Sequence, residues 1–488
     1  MTILAFLWRR LTALLSTLLL LLVVLALFIG LRLLGPGQQD DPERLAAKRD
    51  YLAAIASANP AAGPNIVFVL YDDMGYGDIG AGAKGNPIDT PHIDALAAGG
   101  VTLSDFHSPA PVCTPARAGY MTGRLAPRAG LPNVLFPSGS FTEGVFKVLQ
   151  GPDTPLRLPA EEITLPEVLK AAGYATGMVG KWHMGDVSPS LPNDFGFDTF
   201  FGSLYSNDMT PFALYRNNEI DVEAPADQER LTEYYTREAT QFIEKNAGSP
   251  FFLYFAHNFP HDPLYVRKER LGRSEGGLYG DVLEEIDDSI GTIVTALEAS
   301  GALANTLIII TSDNGPWFLG SAGDQRGNKG TTFEGGMRVP FIAHWPGGIA
   351  PGRTEGAMAM GTDLLPTVLE LLGLPAPPDR ILDGRSILSV LQTGGQTPHE
   401  FLYYYDSETL FAVRDQRFKY RGPAGVKYST DSTPFGGSIP QKEWLFDLEN
   451  DPNEAYDTIA RHPVEGGRLR AAFAARKKEM TDNLRGWR

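Results

Sequence analysis

A single cysteine stands in 488 residues, so the chain can close no disulfide within itself. Basic residues are outnumbered as well, 42 Lys and Arg against 58 Asp and Glu, for a net charge of -16. That balance argues against nucleic acid as a partner, which needs a broad basic face. It leaves room for a small anionic ligand, because a local cluster of cations can govern one pocket of an acidic protein. Internal repeats and low-complexity tracts are absent apart from one apolar run near the N-terminus. What is present is a globular composition, 43% hydrophobic and 20% charged, which allows a large core. At this length two folded units with appendages are expected.

Leu11 to Leu31 carries no charge. At ~1.5 Å per residue such a helix spans ~32 Å, about one bilayer core. Arg9 and Arg10 precede it, so the N-terminus should stay cytoplasmic and the body be exported, although Arg32 on the far side reduces the asymmetry. A cleaved signal peptide is the alternative; it would have a shorter apolar region and a small-residue cleavage site. Either way the body lies on the periplasmic or extracellular side. Asp41 to Ala58 reads as a helical stalk stopped by Pro60, with a boundary at Ala61-Ala62-Gly63-Pro64. The expected units are an anchor (1–34), a linker (35–64), a main domain (65–395) and a C-terminal α+β subdomain (396–488).

Asn65 to Tyr71 is a continuous apolar run, as in a parallel strand buried on both faces, and it ends in Asp72-Asp73. Thr306 to Thr311 repeats the pattern and ends in Asp313-Asn314-Gly315. Between them Thr164-Leu-Pro-Glu167 is a capping-box helix start, Tyr174 to Val179 the next strand, and Glu284 to Ser300 an amphipathic helix. A further helix is expected over Thr362 to Leu372. This alternation predicts an α/β domain with a mostly parallel sheet between helices. Ligands of such sheets gather beyond the carboxyl ends of the strands, where both acidic clusters fall. After about residue 395, short aromatic runs at Phe401–Tyr405, Leu410–Arg414, Phe418–Arg421 and Trp444–Leu448 predict a small antiparallel sheet, followed by a helix over Gly466 to Asn483.

The segment Cys113-Thr114-Pro115-Ala116-Arg117 carries the chemistry. Pro115 favours a first helical turn with Thr114 as its cap, which sets Cys113 at a helix N-terminus that favours an anion. Arg117 lies one turn on. C-T-P-A-R followed by A-G-Y-M-T-G-R resembles the signature of the sulfatase family, in which the cysteine is oxidised to Cα-formylglycine (3-oxoalanine) by a separate maturation enzyme. Further blocks of that family occur in order at residues 65–78, 180–185 (G-K-W-H-M-G), 260–264 (P-H-D-P-L), 312–315 (S-D-N-G), 328–340 (N-K-G-T-T-F-E-G-G-M-R-V-P) and 445–454 (L-F-D-L-E-N-D-P-N-E). The resemblance implies the alkaline-phosphatase-like fold and hydrolysis of aryl or carbohydrate sulfate esters.

It also implies roles. Asp72, Asp73, Asp313 and Asn314 offer oxygen ligands, which suits a hard cation, Ca²⁺ or alternatively Mg²⁺, with residue 113 completing the set. Hydrated formylglycine would attack sulfur with one hydroxyl and expel sulfate through the other. Lys181 and Lys329 would bind the sulfate, Arg117 would stabilise the hydrated aldehyde, and His183 would deprotonate it during sulfate release. His261 would stand near the leaving-group oxygen, with Lys329 as the acid; His257 competes for that place. Ser206, in G-S-L-Y-S-N-D, matches a polar residue of the substrate pocket. The stretch Asn133 to Arg157 is longer than its counterpart in relatives and would be either a substrate rim or a passive insertion. Rival readings are a phosphate or phosphonate ester hydrolase on the same fold and a pseudoenzyme that binds sulfated glycans. A phospho-group transferase of the wider superfamily would instead need a Ser or Thr nucleophile and more His ligands.

Overall fold

The computed structural model describes residues 3–33, 38–58, 63–80, 85–151, 154–423 and 442–488. The stop at Pro60 and the break at Ala61 and Ala62 lie outside these. A ten-stranded sheet organises the body. Across it the strands run Arg353–Glu355, Val101–Leu103, Phe341–His344, Thr306–Ser312, Asn65–Tyr71, Phe251–Ala256, Ala175–Gly180, Thr199–Gly202, Leu214–Arg216 and Glu219–Val222. The five from Thr306–Ser312 to Thr199–Gly202 are mutually parallel. Antiparallel pairs extend the sheet on both sides.

The Asn65 strand shows why its apolar run is unbroken. Ile66, Phe68 and Leu70 face one core, and Val67, Val69 and Tyr71 face another across the sheet. A strand covered on both faces has no solvent side on which to alternate. The helix Gly277–Ala299 covers the second face through Tyr279, Val282, Leu283, Ile286, Ile290, Ile293 and Leu297. It begins seven residues before the expected Glu284, because this 3.6-residue spacing continues back through Leu283 and Val282 to Tyr279. The helix expected from Thr362 is a short 3₁₀ turn over Gly361–Asp363 running into Leu364–Leu371.

The four aromatic runs form an antiparallel sheet of Leu402–Asp406, Thr409–Arg414, Phe418–Arg421 and Trp444–Asp447, backed by the helix Pro463–Asp482. The helix Ile3–Leu33 contains one segment, Phe6–Leu33, long and apolar enough to cross a membrane. The segment read as a stalk does not stand free. Its helix Pro42–Ala58 lies on the body, with Tyr51 and Ile55 in the main core. Lys48 is buried against Glu167 (2.6 Å) and donates to the carbonyls of Ala160 (2.8 Å) and Glu162 (2.7 Å). Glu167 in turn accepts from the Thr164 amide (3.0 Å), closing the expected capping box. Asn133 to Arg157 contains a helix of its own, Phe141–Gln150, capped by Ser140 and touching the N-terminal helix.

Candidate active site

Every candidate cluster gathers at the carboxyl edge of the parallel strands. Asp72 and Asp73 follow the Asn65 strand, Asp313 and Asn314 the Thr306 strand, and Lys181 and His183 the Ala175 strand. The first two strands are hydrogen-bonded neighbours in register from Asn65 opposite Thr306 to Tyr71 opposite Ser312. The acidic pairs therefore meet: Asp313 Oδ1 accepts from the Asp73 amide (3.2 Å), and Asn314 Nδ2 donates to Asp73 Oδ1 (2.7 Å). Asp73 and His183 both hold left-handed backbone (φ 67° and 59°), a conformation that costs energy outside glycine and persists where the surroundings fix it.

Cys113 opens the helix Cys113–Thr122 and is itself its first residue, with Val112 in the cap position. Thr114 is thus not the cap; its hydroxyl instead accepts from the Leu135 amide (3.2 Å). The cysteine Sγ donates to Asp72 Oδ1 (3.2 Å) and lies 4.0 Å from Asp73 Oδ1. Arg117, one turn later and fully buried, donates from Nε and Nη2 to Asp313 Oδ2 (3.0 and 2.8 Å) and from Nη1 to the Lys181 carbonyl (2.9 Å). Lys181 Nζ reaches Asp72 Oδ2 (2.5 Å) and the Ser206 hydroxyl (3.1 Å). Lys329 Nζ donates to Asp73 Oδ2 (2.8 Å), and His261 Nε2 lies 3.6 Å from the same oxygen.

His257 is elsewhere. Its Nδ1 accepts from the Phe259 amide (2.9 Å), its Nε2 faces Thr232 Oγ1 (3.1 Å), and its ring packs on Tyr235, Phe255 and Phe259. The structure brings together Asp72, Asp73, Cys113, Arg117, Lys181, Ser206, His261, Asp313, Asn314 and Lys329. His183 adjoins them through the chain, with Nε2 donating to the Leu135 carbonyl (3.1 Å).

A sequence model of the sulfatase family matches residues 64–374. The chain belongs to the sulfatase family. A model of the C-terminal region of N-sulphoglucosamine sulphohydrolase also matches residues 327–466. Arylsulfatase A of Homo sapiens is 36% identical over 463 residues, covering 85% of this chain and 87% of its own. N-acetylgalactosamine-6-sulfatase of Mus musculus is 38% identical over 396 residues, covering 75% and 73%. The crystal structure of a sulfatase from Pseudoalteromonas sp. superposes with a TM-score of 0.75 at 28% identity, covering 92% of this chain and 96% of that one. As a sulfatase the protein is a sulfuric ester hydrolase, and its reaction is the hydrolysis of sulfate esters.

The electrostatics of the sulfatase site suit an anionic ester. Asp72, Asp73 and Asp313 face three permanent cations, Arg117, Lys181 and Lys329. The protein groups alone are therefore close to neutral. Burial drives the Asp313 carboxyl up to about 7, with the Asp72 charge adding to the rise and Arg117 opposing it. Burial acts the same way on Asp72, but Lys181, His261, Arg117 and Lys329 outweigh it and hold that carboxyl well below the ordinary range. Asn314 Oδ1 is buried without a hydrogen-bond partner. Atoms of Asp72, Asp73, Cys113 and His261 come within 4.8 Å of one another. Crowded carboxylates beside an orphaned amide oxygen fit a hard divalent cation, whose charge would leave the site net positive.

Burial and the neighbouring Asp313 and Asp72 raise the Cys113 thiol well above its ordinary pKa. Burial, then the charges of Lys181 and Arg117, press His183 well below 6.5, so it stays neutral. Because a carbonyl can only accept, the His183 proton sits on Nε2, and the buried Nδ1 is left as an unpaired acceptor. Two neighbours had no signal in the sequence. The Leu135 carbonyl, which orients His183, comes from the stretch Asn133 to Arg157. Trp317 places its ring centroid 6.0 Å from Lys329 Nζ and forms an edge-on pair with Phe318, whose side chain is largely exposed.

Proposed function

We propose that the protein hydrolyses aryl or carbohydrate sulfate esters through a formylglycine made from Cys113, with a divalent cation, Ca²⁺ first and Mg²⁺ second, held by Asp72, Asp73, Asp313, Asn314 and residue 113. The observation that carries this reading is the state of the thiol. A nucleophilic cysteine works as thiolate and is activated by nearby positive charge. Cys113 is instead buried, and burial first, then Asp313 and Asp72, outweigh Lys181 and Lys329 in keeping it protonated, so cysteine itself would be a poor nucleophile here. A hydrated aldehyde at this position supplies two hydroxyls on one carbon, one to take the sulfuryl group and one to expel it. A cation in the carboxylate cluster would supply Lewis-acid stabilisation of the sulfuryl oxygens.

The chain's own residues then divide the work. Lys181 and Lys329 supply fixed positive charge for the transferring oxygens, the preorganised stabilisation that usually dominates such barriers. Burial would lower the Lys329 ammonium, but Asp73 leads the groups that hold it charged. Arg117, locked on Asp313, lies 3.7 Å from the Asp72 oxygen that accepts from Cys113 and so stabilises the hydrated aldehyde at 113 from one turn along its helix. Neutral His183, its Nε2–H committed to Leu135, offers Nδ1 to take the proton released as sulfate leaves. His261, buried in part and beside Asp73, serves the leaving-group oxygen, and Ser206 fixes the Lys181 ammonium. Maturation requires a formylglycine-generating enzyme as a partner. The relatives' names, an arylsulfatase and an N-acetylgalactosamine-6-sulfatase, support both substrate classes.

We also infer that Phe6–Leu33 anchors the protein in a membrane, with the catalytic body, 65–395, and the C-terminal subdomain, 396–488, on the exported side. The decisive experiment is the mass of the tryptic peptide ending at Arg117, taken from the natural host. The expected peptide has lost one sulfur and two hydrogens and gained one oxygen; unmodified cysteine throughout an active preparation would refute the mechanism. Turnover of an aryl sulfate should exceed that of the matching phosphate and phosphonate esters, and the reverse order would favour the phosphonate reading.

A further inference from the structure

Lys329 lies on a loop, and its own turn contributes only part of what holds it. At the site end its amide donates to the Pro316 carbonyl (2.9 Å), and the next amide, Gly330, donates to Pro111 (2.8 Å). The other end of the loop is held by the C-terminal sheet. Along the strand Phe418–Arg421, Phe418 and Tyr420 point into the subdomain's own core, whereas Lys419 and Arg421 point the opposite way, as the two-residue period requires. Both buried cations reach the loop. Arg421 Nη1 donates to the Thr332 carbonyl (2.8 Å) and hydroxyl (3.0 Å), and its guanidinium lies 4.1 Å from the centroid of the Phe333 ring.

Lys419 Nζ bridges Glu334 Oε1 (2.9 Å) and Glu454 Oε1 (3.0 Å). Glu454, the last residue of the L-F-D-L-E-N-D-P-N-E block, accepts the Glu334 amide at 2.6 Å and, through its carbonyl, the Arg326 guanidinium at 2.7 Å. Arg414 adds a second cation on Glu334 (2.9 Å), and Phe333 packs on Phe446 of the same sheet. The segment 326–334 is therefore gripped at Arg326, Thr332, Phe333 and Glu334. A surface insertion has no need of buried ion pairs at these contacts; a segment that must hold one ammonium on Asp73 does.

We propose that the C-terminal sheet positions Lys329 for sulfate-ester hydrolysis, with Lys419, Arg421 and Glu454 as positioning residues that act through the 326–334 loop. The inference rests on the role proposed above for Lys329. It gives the C-terminal block a function in catalysis although none of its described residues is among those gathered around Cys113.

The test is a double-mutant cycle on the detergent-solubilised full chain, with turnover of an aryl sulfate expressed per formylglycine-bearing molecule. Arg421→Ala should lower kcat/KM about tenfold or more, since small misplacements of a catalytic group carry large losses. In a Lys329→Ala background the same substitution should change turnover less than about twofold, because there is no ammonium left to misplace. Amides of 326–334 should exchange faster with solvent in Arg421→Ala. Phe418→Leu, on the opposite face of the same strand, is the control; it should lower the melting temperature and leave kcat/KM within about twofold.

Equal losses from Arg421→Ala in both backgrounds would mean a merely structural role and overturn the proposal. Full activity of Arg421→Ala beside a crippled Lys329→Ala would overturn the grip alone. Full activity of Lys329→Ala would remove the role assigned to that lysine, and this inference with it. Should Arg421→Ala fail to fold, Glu454→Gln, which keeps the side chain's shape, takes its place in the cycle with the same expected outcomes.

Discussion

If the helix Pro42–Ala58 is part of the body rather than a tether, loosening it must destabilise the enzyme itself. Ile55→Ala is the clean perturbation. The side chain is 2% exposed and belongs to the main core. Truncating a buried isoleucine costs about 3 kcal/mol, the lost transfer energy plus the cavity that remains. Lys48→Met acts on the same contact by another route. It leaves Glu167 buried without its cation and two carbonyls without a donor, for which about 3–5 kcal/mol is the usual loss. At roughly 2 cal/mol/K per residue, a body of this size has a large unfolding entropy, so 3 kcal/mol moves the midpoint by about 3 °C.

The assay is thermal unfolding of the solubilised protein followed by loss of aryl sulfatase activity, with limited proteolysis alongside. Both variants should shift the activity midpoint downward and expose new cleavage sites in the helix Leu165–Ala171, which carries Glu167. The reasoning fails if either variant becomes protease-sensitive only within residues 42–58 while the activity midpoint stays where it was.

Three further outcomes are expected. His261→Ala should lower kcat for an aryl sulfate by about 10²-fold or more, whereas His257→Gln should stay within about tenfold; the reverse would return the leaving-group role to His257. Asn314→Ala should weaken binding of Ca²⁺, read by calorimetry on chelator-stripped protein, and excess Ca²⁺ should restore part of its activity; unchanged affinity would remove Asn314 from the ligand set. Burial, opposed only by the Asp72 charge, pushes His257 down to about 3. Folded protein keeps it neutral while unfolded chain takes up a proton below about 6.5, so its contribution is complete above that pH and is lost progressively as pH falls toward 3. His257→Gln should consequently lose less stability than the parent between pH 6.5 and 4; parallel losses, measured as melting temperature against pH, would contradict this.

The sequence alone was enough to set Cys113 at a helix start, both acidic pairs at the ends of buried strands, and the α/β alternation that brings them to one edge. These are short-range signals: a two-sided apolar strand must read as an unbroken run, and a catalytic block keeps its residues within a few positions of one another. The preference for His261 over His257 came from the family resemblance of P-H-D-P, and in the structure it is His261 that stands beside Asp73 while His257 is turned to Thr232.

Tertiary structure alone decided the rest. Whether 42–58 swings or docks depends on Ile55 and Lys48 finding partners more than a hundred residues away, which no local pattern records. The cap of the helix Cys113–Thr122 is Val112 rather than Thr114, whose hydroxyl is taken up by the Leu135 amide, a contact from a separate segment. Backbone carbonyls such as that of Leu135 leave no trace in side-chain chemistry at all. Above all, the alternation along Phe418–Arg421 reads as an ordinary strand with two polar residues; only packing shows that its cations are buried on the Lys329 loop. Neighbours along the chain set which groups the site has, and contacts between distant segments set how firmly each is held.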